Sequence, residues 1–284
     1  MKEDFSLLKM NLLWWEKRQL KTVWKVEKDD KCFFLVGTAH FSPYSFKKSL
    51  EKIIKPVRTV VFEGPLDSES MAKVAEYGRS GGETPSLYNV IDSEAIKKIN
   101  KQLNSRLRLK TSSIDFFGNI FSQNQSDLLK TLTQGVRPWF GFFTIWSSLL
   151  EWSYSMDLEA YEIAKRLGKE IKYLETIEDQ LASLDEIPFE RIVNFINHID
   201  QWKSYREMFL KTFLSGDIER FSSVTKEFPT RCESIVQKRD PIFFEGIKTL
   251  SMFGVFVAFI GIIHIPGVKK MLLEEGFKIT QKEI

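Results

Sequence analysis

A chain of 284 residues with 43% hydrophobic and 28% charged residues is ordinary globular material, near the upper size for one core, so one domain is expected rather than two. Lys and Arg total 41 against 38 acids, and the resulting net charge of +3 points to neither nucleic acid nor an anionic membrane as a partner. Cys32 and Cys232 lie far apart and form no C-x-x-C pair, which excludes a readable disulfide framework or thiolate metal site and favours a reducing, cytoplasmic setting.

Residues 1–20 read as an N-terminal extension whose charges interrupt every apolar run, unlike a signal peptide; a leader removed beforehand would instead imply export. Residues 22–27 and 31–36 alternate around Asp29-Asp30 as two strands of a hairpin. Leu50, Ile53 and Ile54 recur on a helical period within 46–54, Pro56 ends that helix, and 59–62 resume as a short buried strand stopped by Glu63-Gly64-Pro65. From 68 to 130 the pattern is helical and polar, with Asp92 or Ser93 as N-cap candidates and loops at Gly81-Gly82 and Ser112-Ser113. Lys97, Lys98, Lys101, Arg106, Arg108 and Lys110 form the densest basic cluster; a solvated helix face explains it better than phosphate contact, because no aromatic residues are interleaved. Residues 139–152, WFGFFTIWSSLLEW, are the most aromatic stretch and read first as a core helix, then as a groove lining, and last as a membrane-surface helix.

A helix over 157–167 closes at Gly168, a short strand follows at 170–174, and 192–213 read as one helix containing His198 as an ordinary helix residue. The stretch 252–263 is about a dozen residues, short of the roughly 20 that a membrane-spanning helix needs, and reads as a buried strand over 255–260 after a helix over 240–252. A last helix over 268–275 ends at Gly276 and a strand begins at 277–279. No transmembrane segment is expected.

Gly37-Thr38-Ala39-His40 and Gly261-Ile262-Ile263-His264 each place a histidine directly after a hydrophobic strand, and Glu63 stands at a third strand end. Strand ends in a layered α/β arrangement are where loops present side chains to a crevice. Two neutral imidazoles and a carboxylate suit a divalent metal ion such as manganese, cobalt, zinc or iron, with a position left for a water to be activated. The blander reading makes each histidine a hydrogen-bonded core residue and Glu63 a helix-capping or salt-bridging carboxylate. Arg239 reads either as a guanidinium holding a substrate carboxylate or polarised carbonyl, or as a surface partner of Asp240 or Glu233. Glu175 reads as a cap for the helix that follows it, and Ser42, Tyr44 and Ser45 as turn formers or as groups that orient substrate. Gly78-Arg79-Ser80-Gly81-Gly82 matches G-x-S-x-G literally, but a helix precedes it where that nucleophile elbow needs a strand.

GTAHFSPYSF followed by VVFEGP resembles the opening of the TraB/PrgY/GumN family, which includes the Tiki proteins. Arg137-Pro138-Trp139, the stretch MDLEAYEIAKRLGKEIKYLETIEDQLASLDEIP, Lys238-Arg239-Asp240 and FVAFIGIIHIPGVKKMLLEEGFKI are similar to its later elements in the family's order, so the resemblance covers about residues 23–282. It departs from the family in having Ile262 and Ile263 where smaller residues usually precede the second histidine, and in having no C-terminal membrane helices. By this resemblance His40, Glu63 and His264 are the proposed catalytic and metal-binding set, Arg239 supports them, and Glu175 with Gln180 belongs to a shared second segment.

The expected fold is therefore α/β: a central mixed sheet from N- and C-terminal strand-helix units, with a mostly helical insertion over 66–235 covering the cleft. The leading expectation for function is metal-assisted hydrolysis of a peptide or related acyl bond in a peptide or small-molecule substrate, Glu63 being either a third ligand or the general base. Alternatives are a peptide-binding regulator, as the pheromone-shutdown branch suggests, and a metal-independent histidine-based esterase, as the erythromycin-esterase relatives suggest.

Overall fold

The computed structural model describes residues 19–81, 85–108, 127–150 and 152–284. A six-stranded sheet in the order β4-β3-β5-β2-β1-β6 forms its centre. β1 (Val23–Lys28) and β2 (Lys31–Thr38) make the expected hairpin, paired from Val23 opposite Val36 to Lys28 opposite Lys31. The two-residue turn puts Asp29 at φ 52°, a left-handed conformation that aspartate tolerates because its short side chain bonds locally. β3 (Thr59–Phe62) pairs in parallel with β4 (Glu170–Tyr173) and β5 (Phe256–Gly261), β5 pairs in parallel with β2, and β6 (Lys278–Lys282) returns antiparallel beside β1.

Composition explains the strand order. FVAFIG of β5 is buried at every position and lies between β3 and β2, as expected of a parallel strand covered on both faces. EIKY of β4 and KITQK of β6 carry charged residues and take the two edges. β5 begins at Phe256 rather than Val255, and the helix before it ends at Leu250 rather than Met252. Gly254, at φ 119°, turns the chain between them and leaves Met252, Phe253 and Val255 exposed, so the apolar run is a loop at its start and a strand only beyond it.

Helices pack around this sheet and against one another. α1 (Lys47–Ile54) buries Leu50, Ile53 and Ile54 and packs on α6 (Met156–Arg166), which leads into β4. The middle of the chain thus contributes a strand to the sheet besides its helices. α11 (Asp240–Leu250) packs on α12 (Ile265–Glu274), the helix after β5. The helices α2 (Ser68–Arg79), α3 (Ser93–Arg108), α4 (Leu128–Thr133), α5 (Pro138–Leu150), α7 (Ile177–Asp185), α8 (Phe189–Asn197) and α9 (Trp202–Ser215) build most of a second layer, while α10 (Ile218–Val224) buries Ile218 and Phe221 in the sheet core.

That layer has its own apolar cluster, centred on α5. Phe142, Ile145 and Trp146 are fully or almost fully buried, and rings of Phe195, Trp202 and Phe228 pack edge-on around Phe142 and Trp146, which accounts for apolar residues on more than one face of α5. Tyr44, Phe209 and Ile263 pack against both this cluster and the sheet core. The helix expected over 192–213 is instead two: α8 ends at Asn197 and α9 starts at Trp202 after a short 3-10 turn, Ile199–Gln201. Trp202 Nε1 donates to Phe195 O at 2.8 Å, folding the start of α9 back onto the last turn of α8.

Residues 1–18, Gly82 and the expected loop at Ser112-Ser113 lie outside the described residues. Among the described residues no helix is long and apolar enough to cross a membrane.

Candidate functional site

Parallel pairing aligns Thr38 with Gly261 and Phe62 with Phe259, so β2, β3 and β5 end on the same side of the sheet. His40 follows β2, Glu63 follows β3, His264 caps the start of α12 just past β5, and Glu175 follows β4. Backbone hydrogen bonds from Leu174 and Glu175 to Glu63 O tie the β3 and β4 ends together. The three groups singled out in the sequence meet at one place. A Cβ built on Gly261 would lie 3.1 Å from Glu63 Oε1, 3.5 Å from His40 Nε2 and 3.5 Å from His264 Cδ2. Any side chain at 261 would compete with them for this space.

Each imidazole has a carboxylate beside its Nδ1. His264 Nδ1 lies 2.7 Å from Asp240 Oδ1, and its ring meets Phe243 edge-on at 4.8 Å. His40 Nδ1 lies 2.8 Å from Asp157 Oδ2, while Thr38 Oγ1 donates to Asp157 Oδ1 at 2.6 Å. Asp157 and Asp240 stand inside two of the segments that carry the family resemblance, but sequence reasoning gave neither a role at a histidine. The Pro-Gly after His264 held a further clue: a Cβ on Gly267 would come within 1.8 Å of Asp240 Oδ2, so only glycine admits that carboxylate. The two rings differ in access, with His264 1% exposed and His40 54% exposed on its side chain.

Arg239 is buried beneath them. Its Nη2 donates to Glu63 Oε2 at 2.8 Å and to Glu175 Oε1, its Nε donates to Glu175 Oε2 at 3.0 Å, and its Nη1 lies 3.5 Å from His264 Nε2. Glu63 Oε1 accepts the Gly261 N–H at 2.5 Å. Arg239 therefore pairs with neither Asp240 nor Glu233 at a surface, because a guanidinium this deep is stable only against carboxylates that bury with it. Nor is Glu175 a helix cap. Thr176 and Asp179 form the capping box of α7, which frees Glu175 to turn inward to Arg239.

Burial works against the charge of Glu63, but Arg239 and then the two imidazoles more than offset it and hold its pKa at about 2. Burial pushes the Glu175 carboxyl up despite Arg239, and pushes Asp240 up despite His264. Packing around the His40 ring opposes its protonation, yet the charge of Asp157 beside it prevails and raises the pKa to about 9.

A cavity of about 280 Å³ opens from this cluster toward the second layer, walled by aromatic residues that include Trp139, Phe143 and Trp146 of α5. α5 is thus both a core helix and a groove lining. His40 also borders a second cavity of about 400 Å³ with Lys47, Glu159 and Arg166 on its walls. Ser42 bonds both the N–H and the C=O of Tyr44, and Ser45 bonds Glu159, so these serines shape the turn after His40. His198 is exposed and bonds Asn194 O at 2.7 Å, remote in role from the cluster. Ser80 ends α2 with no strand before it. In the basic cluster Lys98 pairs with Glu94 and Asp200, as a solvated helix face does; Lys110 and the side chains of Arg106 and Arg108 lie outside the described residues.

Fold and site together define an α/β protein with a histidine and carboxylate cluster at the carboxyl ends of the parallel strands of a mixed sheet. The sequence model of the TraB/PrgY/gumN family matches residues 22–281, and the chain belongs to that family. A comparison with curated proteins returned no match.

Proposed function

We propose that the chain is a hydrolase acting on a peptide or related acyl bond, with the reacting atoms held among His40, Glu63 and His264. One observation carries this reading: a buried carboxylate occupies Nδ1 of each imidazole, leaving His40 Nε2 directed at Gly261 and His264 Nε2 at 3.8 Å from Glu63 Oε1. A carboxylate on the far nitrogen fixes the tautomer and raises the basicity of the near one, as in histidines that ligate metals.

Two such nitrogens and a carboxylate oxygen fit the donor chemistry of a divalent ion, although among the described residues no three His, Cys, Asp or Glu groups already stand at ligand spacing. His40, the exposed member, is the one with room to adjust. His40, Glu63 and His264 would hold manganese, cobalt, zinc or iron, which when bound supplies Lewis-acid charge to an acyl oxygen and a water. Glu63, held ionised by Arg239, serves either as a third ligand or as the general base acting on water. Arg239 keeps Glu63 ionised, and Asp157 and Asp240 hold the ring tautomers.

A metal-free reading is favoured by one contact, the Arg239 Nη1 beside His264 Nε2, which sets a cation where a metal would need a lone pair. In that reading His264, oriented by Asp240, takes a proton from water while the His40 imidazolium donates to the acyl oxygen. Metal content measured by mass spectrometry, with turnover of a peptide library before and after chelation, separates the two. Metal bound in wild type and lost in His40→Ala and His264→Ala, together with chelator-sensitive turnover, supports the first reading. Chelator-resistant turnover supports the second. Absence of any turnover from a folded, metal-replete protein overturns both and leaves a binding protein.

A further inference from the structure

A second arginine lines the same aromatic cavity. Arg231, in the loop between α10 and α11, donates from Nε and Nη2 to Thr225 Oγ1 at 3.0 and 2.6 Å and from Nη1 to Ile263 O at 3.2 Å, one residue before His264. Its guanidinium stands 5.4 Å from the Phe221 ring centre. No carboxylate lies within ion-pair distance of it among the described residues; Asp240 acts on it only from farther away and is already held by His264. Burial lowers its pKa while Tyr205 and Asp240 act the other way, so the fold keeps a desolvated cation here with no ion-paired carboxylate among the described residues.

The contrast with Arg239 is informative. Arg239 spends its donors on Glu63, Glu175 and His264, which leaves it no fork for a substrate anion. Arg231 uses three of the five N–H groups of a guanidinium and keeps one on each terminal nitrogen, two donors for the two oxygens of a carboxylate. Tyr205, Phe209, Phe228 and Ile235 share the cavity wall with it. At about 280 Å³ the space stands just below the ~300–1,000 Å³ of small-molecule pockets, which suits one bulky apolar group.

From this placement we infer that the cavity binds a bulky apolar carboxylate, with Arg231 taking the carboxylate and the aromatic wall taking the apolar group. Resting on the hydrolytic reading, the substrate class becomes peptides with a large apolar C-terminal residue, whose bond near the C-terminus is set beside His40 and Glu63. Hydrolysis there adds water across the amide, giving a shortened peptide acid and a free amine on the released portion. A free apolar acid carries the same recognition chemistry.

Calorimetric titration of the full chain with a hexapeptide ending in Phe, its C-terminal amide and N-acetylphenylalanine tests the assignment. The free-acid peptide is expected to bind at least ~10-fold tighter than the amide, a difference of about 1.4 kcal/mol. Arg231→Gln removes the preference and Arg231→Lys retains part of it, at unfolding midpoints near wild type. N-acetylphenylalanine binding as tightly as the peptide acid supports the same carboxylate site with a free acid as its ligand. Equal binding of acid and amide by wild type, which needs no variant, overturns the inference, as does failure of all three to bind. An acid preference that survives Arg231→Gln, or none in a wild type that still hydrolyses peptides, rejects the Arg231 assignment alone; a wild-type acid preference without turnover of any peptide rejects the enzymatic reading alone.

Discussion

His40 and Asp157 form the exposed half of the site, and their pairing has a definite pH signature. The ring's pKa rises from 6.5 to about 9, so the pairing's contribution is complete below 6.5 and disappears as pH climbs through about 9. In metal-stripped protein an NMR titration should place the His40 midpoint well above 6.5, and Asp157→Asn should bring it to 6.5 or lower. A midpoint unmoved by that substitution would refute the pairing. Gly261→Ala is expected to displace the Glu63 carboxylate, whose oxygen stands 3.1 Å from the new methyl, and to lower turnover more than it lowers stability. Arg239→Met leaves Glu63 and Glu175 buried without a cation, so denaturant unfolding should show a loss of ~3–5 kcal/mol.

Among the elements, α5 and the β2–β5 pair have the largest consequences. Phe142 on α5 is 0% exposed and meets rings from three other segments, so Phe142→Ala should cost about 3–5 kcal/mol, read from the urea midpoint at constant slope. The boundaries that pattern reading misplaced share one cause. Periodicity continued through 192–213 and through 252–255, but a tryptophan hydrogen bond folded one helix in two and a glycine at φ 119° delayed one strand. Local sequence specifies which residues face inward; it does not specify where a neighbouring element interrupts the run.

For the whole molecule, β5 is the central constraint. It comes late in the chain yet pairs with both β2 and β3, so no three strands of the parallel set can close without it. A chain ending at residue 250 should show no cooperative unfolding by circular dichroism, and a sigmoidal transition from that fragment would contradict this architecture. The site lies between the sheet core and the helical cluster, which is why its walls come from both.

Sequence alone determined the α/β class, the strand-helix units at either end, the family, and the three groups that converge on Gly261, because alternation, glycine and proline breaks and short motifs are local signals. Tertiary structure alone decided the partners: Asp157 and Asp240 on the imidazoles, Glu63 and Glu175 on Arg239, and, among the described residues, no carboxylate on Arg231. Those choices depend on which charged groups are buried together, and Glu63 with Gly261, 198 residues apart, meets its partner only after the parallel sheet has formed. In water each of these charges is equally well solvated, so nothing in the unfolded chain distinguishes the arginine that is neutralised from the one left open.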